Sequence, residues 1–373
     1  MKKLNSLTIL FIVTAVMVVL MLITIQRPSQ SNDDEGLLFP DLYSQLSDIN
    51  KIKVSSNQEE FTIVRDGEDW YVQERWNYPA DFNLAKRTLI DLADAKILET
   101  KTDKPEQYGV LGVDGMEEGG ETVHLTLLNG DDTVAGLLLG RERELGQTGG
   151  PRQFYVRRAG EERSWLAEGY LNINPLMLNW VNSEVITVAR ERIAQVNIIQ
   201  PNGTTATLIN LGQKDKFGTP ESRDKTVFKY AQLGYDIAGT LFQLRMEDVQ
   251  PLSGFSRGKA EIVTAEFITF DGLKVVTETS FDIESGLYFT TFKAEFTPEN
   301  ISNAPKDIAA LNVLKDEQQV KQEVADLNRR LSNWVYRFGG FVGTNLMRAK
   351  ADMVTEADKV IPMPADVTGG FGS

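Results

Sequence analysis

The chain has no cysteine. That removes disulfides, thiolate metal sites and cysteine nucleophiles at once. It permits an oxidising compartment without specifying one. A single histidine, His124, is present, so the usual zinc sets and histidine-based acid–base pairs lack their parts. Positive charge is also short: 39 Lys and Arg stand against 53 Asp and Glu, a net charge of −14. An acidic chain repels phosphate, which argues against nucleic acid as a partner. No P-loop or Gly-x-Ser-x-Gly elbow occurs, so neither a nucleotide nor a serine-hydrolase arrangement of that type is expected. No cofactor or metal is expected either.

One long apolar run is present, and only one. Leu7–Ile25 reads LTILFIVTAVMVVLMLITI without charge, proline or glycine. As a helix it would extend ~28 Å, close to the roughly 30 Å of a bilayer's hydrocarbon core. A cleavable signal peptide is the competing reading, but its apolar core is about 7–15 residues, and the best cleavage candidate, Ser29-Gln30-Ser31, is mediocre. The run is therefore expected to be an uncleaved single-pass anchor in the cytoplasmic (inner) membrane. Lys2 and Lys3 ahead of it favour a cytoplasmic N-terminus. In this reading residues 1–6 are cytoplasmic, 7–25 span, 26–36 form a polar linker, and the remainder is extracytoplasmic.

Beyond the linker, alternating apolar residues at Ile49, Ile52, Val54 and Phe61–Val64 predict strands, with Asp66-Gly67 as a hairpin turn before Trp70-Tyr71-Val72. Pro79-Ala80-Asp81 opens a helix carrying Leu84, Leu89 and Leu92 at helical spacing, and Ala95–Thr100 leaves it as a strand. Further strands surround the turn Asn129-Gly130 and the charged, glycine-rich loop Gly140–Pro151. The pattern then restarts. Ile193, Val196 and Ile198 reproduce the spacing of Ile49, Ile52 and Val54. Phe228-Lys229-Tyr230 stands for Trp70-Tyr71-Val72, and Leu241–Leu244 for Leu89–Leu92. This predicts a duplication with units 37–182 and 184–300. Val320, Val324, Leu327, Leu331 and Trp334-Val335 then mark one face of an amphipathic helix in a C-terminal helical segment, 315–353. A loose tail, 354–373, follows. The expected fold is α+β: two related, mainly antiparallel sheets, each with a packed helix.

Few residues invite a chemical role. His124 lies mid-strand between Val123 and Leu125 and has no second histidine or cysteine to work with. Adjacent acids recur at Asp33-Asp34, Glu59-Glu60, Glu117-Glu118, Asp131-Asp132 and Glu161-Glu162. All lie in turns or the linker, where carboxylates are solvated rather than paired across a groove. Trp76 and Tyr78, placed beyond a strand, are the better binding candidates among the aromatics. Leu331, Trp334, Phe338 and Phe341 are the candidates for partner contact on the C-terminal stripe.

These features together resemble a known family. The residues that carry the likeness are Asp66-Gly67-Glu68-Asp69-Trp70-Tyr71-Val72, Pro79-Ala80-Asp81, Tyr108-Gly109-Val110, Leu139-Gly140, Phe154-Tyr155-Val156-Arg157 and Leu331–Tyr336 (LSNWVY), behind an N-terminal anchor. They resemble the bacterial domain-of-unknown-function family numbered four-three-four-zero. The chain departs from its simplest pattern at Asp114–Gly120 and in its proline- and glycine-containing tail. The resemblance implies association with ABC transport systems of the gliding-motility auxiliary type, hence permease or auxiliary subunits as partners. It carries no catalytic residues. The expected function is a non-enzymatic, membrane-anchored extracytoplasmic accessory or scaffold. The alternative is a periplasmic glycan- or peptide-binding module using Trp76, Tyr78 and the Gly140–Pro151 loop.

Overall fold

The computed structural model describes residues 36–115, 122–143, 150–220, 226–301 and 304–356. The expected anchor Leu7–Ile25 lies outside the described residues, as do most of the linker, 144–149 of the glycine-rich loop and the tail from 357 onward. Among the described residues no helix is long and apolar enough to cross a membrane. The protein is a mixed α/β, sheet-rich structure with few helices. It divides into two compact units, the chain passing from the first to the second at Val72, back at Phe82, and over again at Val181. Val72–Asp81, inside the expected first unit, thus groups with the second, and so does the C-terminal segment.

In the first unit the strands are β1 (Lys51–Ser55), β2 (Glu60–Asp66), β3 (Asp69–Val72), β4 (Lys96–Thr100), β5 (Val123–Asn129), β6 (Asp132–Arg143), β7 (Arg152–Arg158) and β8 (Ser164–Gly169). They lie in the order β3-β2-β1-β5-β6-β7-β8-β4. Alternation places Ile52, Val54, Phe61 and Ile63 in the core, and the register pairs Ile52 with Ile63 and Val54 with Phe61. The helix α1 (Phe82–Ala93) buries Ala85, Thr88, Leu89, Leu92 and Ala93, the stripe expected of a 3.6-residue period. Tyr108-Gly109-Val110 forms a short helical turn, Tyr108–Leu111.

The second unit is built on an eight-stranded antiparallel sheet. Its strands are β9 (Ile193–Ile199), β10 (Thr205–Asn210), β11 (Phe217–Gly218), β12 (Asp248–Pro251), β13 (Ile262–Thr269), β14 (Leu273–Asp282), β15 (Leu287–Phe296) and β16 (Trp334–Phe338). Their order is β11-β10-β9-β13-β14-β15-β16-β12. The first sheet's order has a ninth, two-residue strand, Tyr78–Pro79, at its end. With that strand left aside, both sheets read third, second, first, fifth, sixth, seventh, eighth, fourth from their first hairpin strand. The longer helices of this unit are α2 (Leu233–Ala238), α3 (Glu317–Leu331) and α4 (Gly340–Met347).

Four expectations in this unit need correction. The helix expected over Leu241–Leu244 is instead α2, ending before Gly239. Gly239 caps the helix, its backbone N–H donating to Tyr235 O and Ile237 O, and glycine weakens any continuation of a helix there. Leu241 and Leu244 are buried all the same. Phe228 does not belong to a hairpin strand of the main sheet. Its segment Thr226–Phe228 pairs with Val354–Glu356, which also means that the tail is ordered at its first residues. The third position is taken by β11.

The fourth correction concerns the C-terminal stripe. α3 begins with a capping box: the Asp316 carboxylate accepts from the Gln319 N–H (2.8 Å), and the Asp316 N–H donates to Gln319 Oε1 (3.0 Å). Val320, Leu327 and Leu331 face the core. The helix stops there, and Trp334–Phe338 is strand β16, paired with β12 on one side and β15 on the other. Aromatic and β-branched residues in the run WVYRF suit a pleated surface with two neighbours. Trp334-Val335 met the helical spacing by coincidence. Asn328 ties α3 to the sheet, its amide donating to Ala294 O and its Oδ1 accepting from Ala294 N, both at 2.8 Å.

Candidate functional site

In the second unit an aromatic cluster gathers on β16. Tyr78 meets Trp334 edge-to-face, ring centroids 4.9 Å apart, and Tyr336 at 6.4 Å. Phe292 joins Tyr336 at 5.5 Å and Phe338 at 6.0 Å. The two groups of aromatic candidates, distant in sequence, are thereby brought together. Most of the cluster is core. Tyr78, Leu331 and Phe338 are buried and Trp334 is half-buried. Tyr78 therefore offers no ring to a ligand, which corrects its expected loop position. Burial pushes the Tyr78 hydroxyl above the ordinary tyrosine range, partly opposed by the Tyr336 hydroxyl and Arg330. The Tyr336 hydroxyl is also raised, by burial first and then by Tyr78. Neither phenol is a base near neutral pH.

Trp76 and Phe341 are the exposed members, 51% and 67% accessible. Trp76 and Asn77 both adopt left-handed backbone, φ 54° and 55°. That costs roughly 1–2 kcal/mol per non-glycine residue, and a bulky residue there is uncommon. The turn is held beside ion pairs that sequence reasoning missed. Asp248 on β12 lies 3.6 Å from Arg75 Nε and 3.4 Å from Arg337 Nη1, and the Arg75 guanidinium lies 6.0 Å from the Trp76 ring centroid. Only the β12–β16 register, which opposes Asp248 and Arg337, makes this arrangement visible.

The deepest charge cluster lies elsewhere in the same unit. Arg192 donates through Nε and Nη2 to Asp271 at 2.9 and 3.2 Å. Through Nη1 and Nη2 it also donates to Glu323 at 2.9 and 2.8 Å. Lys315 supports both acids, through its backbone N–H to Asp271 (2.9 Å) and its Nζ to Glu323 (2.9 Å). Burial pushes both carboxyls up, and the hydrogen bonds and charge of Arg192 together with Lys315 and, at Asp271, the Thr269 hydroxyl outweigh it, leaving both below their usual range. A cavity of about 700 Å³ runs along the polar side of α3 beside Glu323. Each acid of this cluster is bound to a cation, an arrangement that fixes structure rather than moving protons.

In the first unit Ser55 on β1 is registered opposite His124 on β5, a pairing that invites a nucleophile–base reading. Ser55 Oγ donates instead to Glu60 Oε2 at 3.1 Å, and His124 Nε2 is buried without a hydrogen-bond partner among the described residues. Burial and then Arg157 lower the His124 pKa, opposed by the backbone at Asp114, so the ring is neutral at pH 7. Each adjacent pair within the described residues has at least one acid engaged locally. Glu59 accepts from the Met177 N–H (2.6 Å), Glu60 pairs with Lys53, Asp131 with Lys51 and Glu161 with Arg158. Asp33-Asp34 and Glu117-Glu118 lie outside the described residues. Among those described, no group of three or more His, Asp or Glu residues is placed to hold a metal ion.

Searches of curated proteins and of solved structures return no significant match. A family model does match: Domain of unknown function (DUF4340), over residues 70–260. That stretch is just over half of the chain. It holds Trp76, Tyr78 and Arg192 and runs from the end of the first hairpin to the eve of β13. The chain belongs to the DUF4340 family.

Proposed function

We propose that this chain is a non-enzymatic accessory or scaffold protein, anchored in the cytoplasmic membrane by Leu7–Ile25, with its bulk outside the cytoplasm and an ABC-type transport system as its partner. Trp76 is the observation that carries the docking role. It is a large aromatic side chain kept exposed on a left-handed turn, and strained backbone of this kind concentrates at sites of function. Tryptophan and arginine are enriched among the residues that carry most of the binding energy at protein interfaces. The membrane location rests on the length of the apolar run, and the class of partner on the family resemblance.

The test is recovery of the full-length chain from membranes in mild detergent, probing for an ABC permease subunit. Wild type should retain the permease, and Trp76→Ala should retain several-fold less, on the scale of about 2 kcal/mol for an anchor residue. Alkaline carbonate should leave both variants in the membrane. Release by carbonate defeats the anchor, and equal permease retention by Trp76→Ala defeats the docking role.

The units are further proposed to descend from one duplicated ancestor. The common strand order supports this, and so does register: Ile52 opposes Leu127 in the first sheet as Val196 opposes Phe267 in the second. The second functional reading, a periplasmic binding module, is favoured by an aromatic cavity in the second unit.

A further inference from the structure

That cavity lies where α4 packs on β13, β14 and β15. Its volume is about 470 Å³, within the usual range of small-molecule sites. Tyr230, Phe281, Tyr288 and Met347 form its apolar walls. Tyr288 is clamped in place. Its ring lies against the backbone of Gly343, where an added Cβ would fall within 2.0–2.4 Å of the ring carbons. Its centroid is 4.7 Å from that of Phe281, and its hydroxyl lies 3.4 Å from Thr344 Oγ1.

The polar groups lean positive. Arg348, half-buried on the cavity wall, donates from Nη2 to Asn345 Oδ1 at 3.0 Å and makes no ion pair among the described residues. Lys229 contributes a second cation, loosely paired with Asp352 at 3.7 Å. An arginine without a carboxylate, in a chain of net charge −14, is not explained by the fold. Guanidinium groups recognise carboxylates through paired hydrogen bonds, and fixed aromatic faces stack on flat or ring-shaped ligands.

We propose that this cavity binds a small organic anion: a six-membered ring bearing one carboxylate, the ring against Tyr288 and Phe281 and the carboxylate on Arg348. One guanidinium without an ion pair among the described residues, beside a partly neutralised lysine, matches a single negative charge better than a dianion. The source is a uronic-acid sugar or an aryl carboxylic acid, which share this chemistry. The site deepens the binding-module reading and is separate from docking at Trp76, so either can fail without the other.

The experiment is calorimetric titration of the full-length chain with glucuronate and with benzoate, using glucose and benzamide as neutral counterparts. One acid should bind, and which one identifies the source. Its neutral counterpart should bind at least about tenfold more weakly. Arg348→Gln should weaken the acid about tenfold or more while melting near wild type, and Tyr288→Leu should weaken it comparably. Permease retention should be unchanged in Arg348→Gln. Failure of both acids to bind at millimolar concentration overturns the proposal. So does equal binding of acid and neutral counterpart, a comparison that requires no variant, or undiminished binding by Arg348→Gln.

Discussion

Replacing Arg192 by leucine removes one side chain and strands two buried carboxylates. Arg192, Asp271 and Glu323 have side chains 3%, 4% and 12% exposed, and the guanidinium makes four hydrogen bonds to the two acids. Removing one partner from such a group costs roughly 3–5 kcal/mol, because the charge left behind is neither solvated nor paired. Lys315 Nζ still reaches Glu323, and Asp271 keeps the Lys315 N–H and the Thr269 hydroxyl. The expected loss at pH 7 is therefore near the lower end, about 3 kcal/mol. For a unit of this size that corresponds to a fall in Tm of roughly 6–12 °C.

The dependence on pH separates this mechanism from simple loss of packing. In wild type both acids have folded pKa values below their unfolded ones. Their contribution is then complete above the unfolded carboxylate value of about 4 and is lost as pH falls through the folded values. In Arg192→Leu the strongest opposing group is gone; Lys315 and the Thr269 hydroxyl remain, but burial is the largest influence on each acid, so the folded pKa values should rise above the unfolded ones. The deficit relative to wild type should shrink between pH 7 and about pH 5 as the stranded acids take up protons. Urea denaturation followed by tryptophan fluorescence across that range measures it. A deficit below about 1 kcal/mol at pH 7, or one that stays constant on acidification, would refute the argument.

Asp316→Ala removes one half of the α3 capping box and should cost about 1 kcal/mol by urea denaturation, with the cavity at Tyr288 unaffected. Leu331→Asp places a charge where the side chain is 3% exposed, and the second unit should lose ~4 kcal/mol or fail to fold, read by thermal melting. Phe341→Ser, at a residue 67% exposed, should change stability by no more than about 0.5 kcal/mol in the same assay.

The contrast between Leu331 and Phe341 shows what the sequence could convey. Helical spacing placed Val320, Leu327 and Leu331 on one face, and all three are buried. The same spacing ran on into Trp334-Val335, where two neighbouring strands outweigh it. Periodicity reports a face but not what lies opposite. The hairpin β2–β3 was legible because alternation and the turn residues Asp66-Gly67 agree over a few consecutive positions. β11 was not, since two residues carry no pattern. The second-unit helix was misplaced because the apolar spacing at Leu241–Leu244 continues past Gly239, where the helix has already ended, and both leucines are buried without being helical. The candidate sites were less legible still. Asp271-Gly272 reads as an ordinary turn until Arg192 and Glu323 arrive from either side of it in sequence. Tyr78 reads as exposed until Trp334 covers it.

The common strand order bears on where such features arise. Between β7 and β8 the first unit has only the turn through Ala159–Arg163, whereas the corresponding connection between β15 and β16 contains α3. After β8 the chain leaves the first unit through an irregular stretch and a 3₁₀ turn, whereas after β16 it forms α4. Glu323 of the buried cluster comes from α3, and Gly343, Thr344 and Arg348 of the aromatic cavity come from α4 and the residue after it. The sheet that supports them, with β13 to β15 in the places of β5 to β7, follows the order of the first unit. Added helices can acquire charged and aromatic side chains without disturbing a strand register that is specified by its own alternation. In this protein the strand order is common to the two sheets; Glu323, Gly343, Thr344 and Arg348 lie on what the second unit adds to it, whereas Phe281 and Tyr288 stand on the sheet itself.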